Sequence, residues 1–207
     1  MNDQDYLKEV NPQFHHPIIE VLKNYADEHR IPIIQDEAIH FMIQLMTLHQ
    51  TKKVLEIGTA IGYSAILIAL FSDAQVISIE HDERLYQMAK ENIQKAGLSD
   101  RVQLILGDAN DMDMGDESFD MIFIDAAKAS YEHFFNHYAK HLNKGGFILT
   151  DNLLFKGLVA DQSKIKSKNR RQLVKKIDKF NHFLVNHPAF DSYIYAIGDG
   201  VSVSIKK

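Results

Sequence analysis

Acidic residues recur where short apolar runs of this chain end, and the chemistry begins there. Glu56 lies in the run Lys53–Ile57 (KVLEI), just before Gly58, and Glu80 closes Gln75–Glu80 (QVISIE), 24 residues after Glu56. Gly107, Asp108 and Ala109 follow Val102–Leu106. Asp125 closes Met121–Asp125 (MIFID), and Asp151 and Asn152 follow Phe147–Thr150. Asp125, Asp151 and Asn152 are hard oxygen donors of the kind Mg²⁺ accepts. With about six oxygens around the ion, three protein donors leave room for two acceptor oxygens and a water. Such a site favours a substrate with two adjacent oxygens, one of them a hydroxyl whose pKa the cation lowers. Lys128, three residues after Asp125, is a candidate to accept the proton or to hold the forming oxyanion. Without the neighbouring aspartates it would be an ordinary surface lysine.

The first of these acids opens the segment Glu56-Ile57-Gly58-Thr59-Ala60-Ile61-Gly62-Tyr63-Ser64, with glycines spaced G-x-x-x-G. A pyrophosphate site wants G-x-G-x-x-G, with backbone laid against phosphate. Here an acid precedes the first glycine, which suits a ligand with a cationic amino-acid end and no phosphate, such as S-adenosylmethionine. Glu80 is placed to accept hydrogen bonds from ribose hydroxyls, and Asp108 and Ala109 lie where an adenine edge would follow. Taken singly, each is equally a solvated acid at a strand end, or a strand-to-helix turn without a ligand. Together they form one coherent set at successive strand ends.

Such a set needs a scaffold that gathers strand ends. Apolar spacing predicts amphipathic helices over Pro17–His29 and Asp36–His49, with Asp36 as a cap. Beyond residue 50 the pattern alternates. Strand Lys53–Ile57 precedes helix Ile61–Phe71, and strand Gln75–Glu80 precedes helix Asp82–Ala96, which Gly97 ends. Strands Val102–Leu106 and Met121–Asp125 follow, then helix Tyr131–Leu142, a turn at Gly145-Gly146 and strand Phe147–Thr150. A long helix leads from the basic stretch to His187-Pro188, and strands Ser192–Ile197 and Val201–Ile205 flank a turn at Gly198–Gly200. The alternation predicts an α/β fold: a mostly parallel seven-stranded sheet, helices on both faces and a C-terminal antiparallel hairpin. Ligands of such sheets bind beyond the carboxyl ends of strands, near the point where strand order reverses. Residues 1–207 are expected to form one domain, with 1–50 a helical cap and 51–207 the core.

Composition narrows the classes further. The 207 residues include no cysteine, which excludes disulfides and thiolate metal or redox sites. The 11 histidines are scattered without H-x-x-x-H spacing on a predicted helix, and His15-His16 fits a surface or capping pair. Residues 1–25 are polar and carry no signal-like apolar run. No stretch approaches the ~18 apolar residues of a membrane span, so a soluble, cytoplasmic protein without a membrane partner is expected. The net charge of −5, from 23 basic and 28 acidic residues, argues weakly against nucleic acid. Residues 164–179, however, hold eight basic side chains and one acid, Asp178, and a local basic stripe matters more to a phosphate backbone than the global sum.

EIGTAIGYS, IDAAK ending at Lys128, and TDN at Thr150–Asn152 together resemble the class I methyltransferases, and among them the metal-dependent O-methyltransferases of catechols and caffeoyl-coenzyme A. The resemblance covers almost the whole chain. It implies a Rossmann-like fold, S-adenosylmethionine and Mg²⁺ as cofactors, and a homodimer. It implies Asp125, Asp151 and Asn152 as metal ligands, with Lys128 and Asp125 catalytic. For the cofactor it implies Glu56, Gly58, Ser64, Glu80, Asp108, Ala109 and Asp125. Ile34 would touch the methionine end through its backbone. Tyr63 would lie near the methyl donor, although it is equally a core aromatic. One departure stands out: the stretch Ser192–Gly200 lacks the glutamate that animal catechol enzymes carry before the final Asp-Gly turn, and Asp191 falls outside it, which argues against a simple catechol specificity.

The segment 151–188 is similar to that of bacterial tRNA 5-hydroxyuridine methyltransferases, in FKGLVA (Phe155–Ala160), SKI (Ser163–Ile165), the Arg170–Asp178 core and the Asn186-His187-Pro188 end. That similarity implies methylation of the wobble 5-hydroxyuridine in a tRNA anticodon loop. The 5-hydroxyl and the 4-carbonyl oxygen of that base are adjacent, and an unpaired loop lets the base splay into a pocket. Lys164, Lys166, Lys168, Arg170, Arg171, Lys175 and Lys176 would then meet phosphates. The same stripe is also what a solvated helix face looks like. Two other readings therefore stand beside the tRNA enzyme: a small-molecule catechol or hydroxycinnamoyl methyltransferase, and a nucleic-acid-binding protein on a catalytically silent fold. The glycine spacing disfavours a nicotinamide dehydrogenase.

Overall fold

Val54 and Leu55 are neighbours in the strand β1 (Lys53–Ile57), both fully buried, yet they enter two different cores. The same split divides Val76 from Ile77, Phe123 from Ile124 and Leu149 from Ile148. Successive side chains of a strand point to opposite faces, so a sheet whose strands are apolar throughout must be covered on both. The computed structural model, which describes residues 3–207, has that arrangement; Met1 and Asn2, part of the polar N-terminal stretch, lie outside the described residues.

Seven strands form one sheet in the order β3-β2-β1-β4-β5-β7-β6. Besides β1 they are β2 (Gln75–Glu80), β3 (Val102–Leu106), β4 (Phe119–Ile124), β5 (Leu142–Thr150), β6 (Phe190–Tyr195) and β7 (Val201–Lys206). The pairs among β1 to β5 are parallel, while β7 runs antiparallel to both β5 and β6. Strand order reverses between β1 and β4, which opens a crevice at their carboxyl ends.

Helices α2 (Pro17–His29), α3 (Asp36–His49) and α4 (Tyr63–Phe71) bury apolar side chains against one face, together with Ile93 of α5 (Glu83–Lys95). α6 (Tyr131–Tyr138) and α7 (Lys168–Val185) cover the other. α4 is apolar all round (YSAILIALF) and is the most enclosed helix, as a helix without a polar face must be. α5 starts where the Asp82 side chain accepts from the Leu85 amide at 3.0 Å, a side-chain cap on an otherwise orphaned donor.

Several boundaries differ from those the sequence predicts. A further helix, α1 (Asp3–Val10), precedes α2; its few apolar side chains give little periodic signal. Asp36 does not cap α3. Gln35 holds the cap position, and the Asp36 carboxylate pairs with Lys23 of α2 at 2.7 Å. α4 begins at Tyr63 rather than Ile61, because Gly62 sits at φ +85° as its cap. Gly145 and Gly146 do not precede β5 but lie within it. Leu142 pairs with Phe119 and Phe147 with Met121, so residues 143–146 bulge from the ladder. Among the described residues no helix is long and apolar enough to cross a membrane.

Candidate active site

At the crevice between β1 and β4 the chain backbones come into close contact. A Cβ built on Gly58 would lie 2.3 Å from the Asp125 carbonyl oxygen, and Gly58 has φ +99°. Only glycine combines that dihedral with that approach. The turn it permits opens a cavity of about 560 Å³, within the range of roughly 300–1,000 Å³ usual for small-molecule and cofactor sites. Ile31–Ile34 from the loop before α3 form one wall, Ile57–Ala60 with Tyr63 and Ser64 the next, and Ile79–His81 with Gly107–Asn110 the far end. Asp125–Lys128 close it.

Glu80 is nearly buried at this far end. Its Oε2 accepts from the Ala60 amide at 2.8 Å, and its Oε1 accepts from the amides of His81 and Asp82, both at 2.9 Å. Three backbone donors hold the carboxylate in one orientation, with lone pairs left over for a ligand hydroxyl. Asp108 accepts from the Asn110 amide and side chain, both at 2.8 Å, and those bonds hold its carboxyl below the usual range. Asn110 was not singled out from sequence; the signal was present in Gly107-Asp108-Ala109-Asn110, a loop in which a polar side chain folds back on its neighbour.

Asp125 and Asp151 follow β4 and β5, adjacent strands in register, and Asn152 comes next. The Asn152 side-chain amide donates to Asp125 Oδ1 at 3.0 Å, and the Asn152 backbone amide donates to Asp151 Oδ1 at 2.6 Å. Asn152 reaches this position with φ +67°, a left-handed backbone that asparagine tolerates better than most residues. The Asp151 carbonyl accepts from the buried Tyr131 hydroxyl at 3.0 Å, a support that sequence reading missed. Burial pushes the Asp125 carboxyl up, and burial together with the Asp125 charge pushes Asp151 up to about 7, with the Lys128 ammonium offsetting only part of it.

Among the described residues no group of three or more His, Cys, Asp or Glu side chains is arranged as a metal site. The set here is two carboxylates and one amide, all oxygen donors. A buried and a half-buried carboxylate that repel each other are short of positive charge, and a small divalent cation fits that deficit.

Of the residues selected for the cofactor, Ile34, Gly58, Tyr63, Ser64, Glu80, Asp108, Ala109 and Asp125 line the cavity, and so does Lys128. Glu56 does not. It is fully buried behind the wall, where Oε1 accepts from Ser64 and Oε2 from Ser78. The reason is strand parity: Glu56 shares the face of β1 that carries Val54 and lies under α4. Tyr63 is also buried, and burial raises its hydroxyl pKa, with Asp36 adding to the effect.

The basic stretch is not part of the cavity. Ser167 caps α7, whose buried side carries Val174, Ile177, Phe180 and Leu184. Lys164, Lys166, Lys168, Arg170, Arg171, Lys175 and Lys176 are all exposed. Lys164 pairs with Asp161 at 3.5 Å, and the Arg171 guanidinium donates to the Ile165 carbonyl at 2.8 Å. α7 packs against the turn Lys128–Ser130 and ties to the loop after Asp151 through Asn181, whose amide donates to the Leu153 carbonyl at 3.0 Å.

A family profile described as O-methyltransferase matches residues 8–207. A caffeoyl-CoA O-methyltransferase of Populus kitakamiensis is 33% identical over 87% of this chain and 80% of its own length. A catechol O-methyltransferase of Niastella koreensis is 34% identical over 81% and 79%. Among solved structures, one from Staphylococcus aureus, provisionally described as a caffeoyl-CoA O-methyltransferase, superposes with a TM-score of 0.89 at 37% identity, covering 99% of this chain and 97% of that one. An O-methyltransferase from Bacillus cereus, solved with S-adenosylhomocysteine, has a TM-score of 0.80 at 25% identity, covering 98% and 96%.

Proposed function

This chain belongs to the O-methyltransferase family, and we propose that it moves the methyl group of S-adenosylmethionine to a hydroxyl oxygen that has a second oxygen beside it. The observation that carries this reading is the position of Asp125, which lines the cavity with Lys128 while its carboxylate meets Asn152. Cofactor end and metal end thus share one residue. S-adenosylmethionine supplies an electrophilic methyl on a sulfonium. A divalent cation, with Mg²⁺ the natural candidate for these donors, supplies Lewis acidity toward the acceptor oxygens.

The chain's own residues do the rest. Asp125, Asp151 and Asn152 hold the cation. Glu80 holds the ribose, and Asp108 and Ala109 border the adenine. Ile31–Ile34 exclude water from the reacting atoms. Lys128 faces the acceptor, where it holds negative charge as the hydroxyl loses its proton. In the overall change the methyl leaves sulfur for oxygen, the hydroxyl proton is released and S-adenosylhomocysteine remains. Alignment of oxygen, methyl and sulfur is the main contribution of such a site.

The relatives named above act on small catechol-type and caffeoyl acceptors, which supports an acceptor of that class. The exposed basic residues of 164–176, on α7 and on the turn that leads into it, with α7 packed beside the Lys128 turn, favour a second reading: the wobble 5-hydroxyuridine of tRNA, whose 5-hydroxyl and 4-carbonyl oxygens are adjacent. Purified protein with labelled S-adenosylmethionine and Mg²⁺, offered caffeoyl-coenzyme A, catechol and hydroxyuridine-containing tRNA in parallel, separates the two. Transfer to tRNA at rates far above the small acceptors, with 5-hydroxyuridine accumulating in a deletion strain, selects the tRNA enzyme. The reverse selects the small-molecule enzyme, and no transfer to any oxygen acceptor refutes both.

A further inference from the structure

The turn that begins at the cation donors is strained. Asn152, Phe155, Lys156 and Gly157 all have left-handed backbones, with φ of +67°, +47°, +56° and +76°. Asn152, Phe155 and Lys156 are not glycine, and Phe155 and Lys156 are consecutive. Such residues persist only where their surroundings over-determine them. Here the surroundings are the turn between β6 and β7. The Leu153 amide donates to the Gly200 carbonyl at 2.9 Å, and the Leu154 amide donates to the Asp199 carbonyl at 2.8 Å. The Lys156 amide, inside the left-handed pair, donates to Asp199 Oδ1 at 2.5 Å. The two turns are packed as closely as their atoms permit: a Cβ on Gly200 would lie 2.4 Å from Leu154 Cγ. Asp199 thus grips the strained turn through its backbone and its side chain together. It is half-buried and does not line the cavity.

We infer that Asp199 is a positioning residue: by accepting from the Lys156 amide, its carboxylate holds the turn 152–157 in the shape that presents the Asp151 and Asn152 oxygens to the cation. β5 fixes one end of this turn and Asp199 the other. With the Asp199 bond gone, Phe155 and Lys156 relax toward the right-handed region, which is open to both. Asn152, left-handed at the start of the same turn, then loses the orientation that sets its side-chain amide against Asp125 and its backbone amide against Asp151. Groups behind a ligand set orient it, and losing one weakens the metal almost as losing a ligand does. The Asp199 charge is also felt at Asp151, so a purely electrostatic pull on the cation is the rival account. The two accounts differ in what they require: the first an acceptor oxygen in one place, the second a negative charge. The inference rests on the reading that Asp125, Asp151 and Asn152 hold a divalent cation.

The test titrates Mn²⁺, a hard cation suited to the same oxygen donors as Mg²⁺, into the full chain saturated with S-adenosylhomocysteine, and counts the free ion by electron paramagnetic resonance. Asp199→Asn keeps an oxygen for the Lys156 amide and removes the charge. Asp199→Glu keeps the charge and moves the oxygen by one methylene. Asp199→Ala removes both. Mn²⁺ affinity should fall roughly 10–100-fold in Asp199→Ala and Asp199→Glu, the range for a lost partner behind a metal ligand, and stay within about three-fold of the parent in Asp199→Asn. S-adenosylhomocysteine affinity, measured by calorimetry without metal, should stay within about two-fold in every variant, because Asp199 shares no partner with that ligand. If Asp199→Ala does not fold, the other two variants decide. Loss of Mn²⁺ affinity in Asp199→Asn overturns the inference, and retention in Asp199→Glu then assigns the effect to charge. Unchanged Mn²⁺ affinity in Asp199→Glu, or an equal loss of S-adenosylhomocysteine, overturns it as well. A parent protein that binds S-adenosylhomocysteine but no Mn²⁺ refutes the cation reading beneath it, which is a distinct result.

Discussion

Asp151→Asn should make the metal-free protein more stable at neutral pH while abolishing its response to Mg²⁺. Asp151 is 3% exposed, and its carboxyl is raised from 3.8 to about 7, first by burial and then by Asp125. Below pH 3.8 the carboxyl is protonated in both folded and unfolded chains and costs nothing. As pH rises from 3.8 to about 7 the unfolded chain ionises and the folded one does not, so stability is lost at about 1.4 kcal/mol per pH unit. The sum is about 4 kcal/mol above pH 7, an upper figure because relaxation and water entry reduce it. Asparagine removes that cost yet keeps the oxygen that accepts from the Asn152 amide. Thermal unfolding in chelator should therefore show the variant ahead of the parent by about 1.5 kcal/mol at pH 5 and up to about 4 kcal/mol at pH 7.5. At a few degrees per kcal/mol for a chain of this size, the pH 7.5 difference is roughly 8–16 °C. Added Mg²⁺ should raise the melting temperature of the parent and leave the variant unmoved. A variant no more stable than the parent at pH 7.5 in chelator, or one that Mg²⁺ stabilises equally, would refute the argument that these two carboxylates form an uncompensated cation site.

Three further outcomes follow from particular contacts. Gly58→Ala places a Cβ against the Asp125 carbonyl at 2.3 Å with φ +99°; a loss of about 3 kcal/mol or more is expected in denaturant unfolding, with S-adenosylhomocysteine binding lost in calorimetry, and a stable variant that still binds contradicts the close approach. Lys128→Ala should lower kcat by roughly 10²–10³-fold, the size of a lost charge-stabilising group, while S-adenosylhomocysteine affinity changes little; an unchanged kcat removes Lys128 from the chemistry. Neutralising Arg170, Lys175 and Lys176 together, and sparing Arg171 because it holds the Ile165 carbonyl, should weaken tRNA binding and reduce its salt slope by about 2–3. Retention on tRNA equal to the parent across a salt series makes the stripe a solvated face.

The strands Lys53–Ile57, Gln75–Glu80 and Val102–Leu106 were legible from residue order alone, because short β-rich runs bounded by glycine or polar residues have few other structures open to them. Their alternation with helices implied the parallel sheet, the reversal of strand order and hence the neighbourhood of Gly58, Glu80 and Asp125. Local patterns carry such statements because periodicity is a property of consecutive residues. What they could not carry was contact between elements. That Asp36 answers Lys23 instead of capping its own helix, that residues 143–146 leave the ladder, and that Tyr131 supports Asp151 all depend on which faces meet. Glu56 is the clearest case. Its place before Gly58 drew it into the cofactor site, but strand parity turns it under α4 and away from the cavity, where its carboxyl meets Ser64 and Ser78. An acid's position in sequence says which strand end it occupies; only the packing of that strand against a helix decides whether its charge meets the ligand or the hydroxyls behind it.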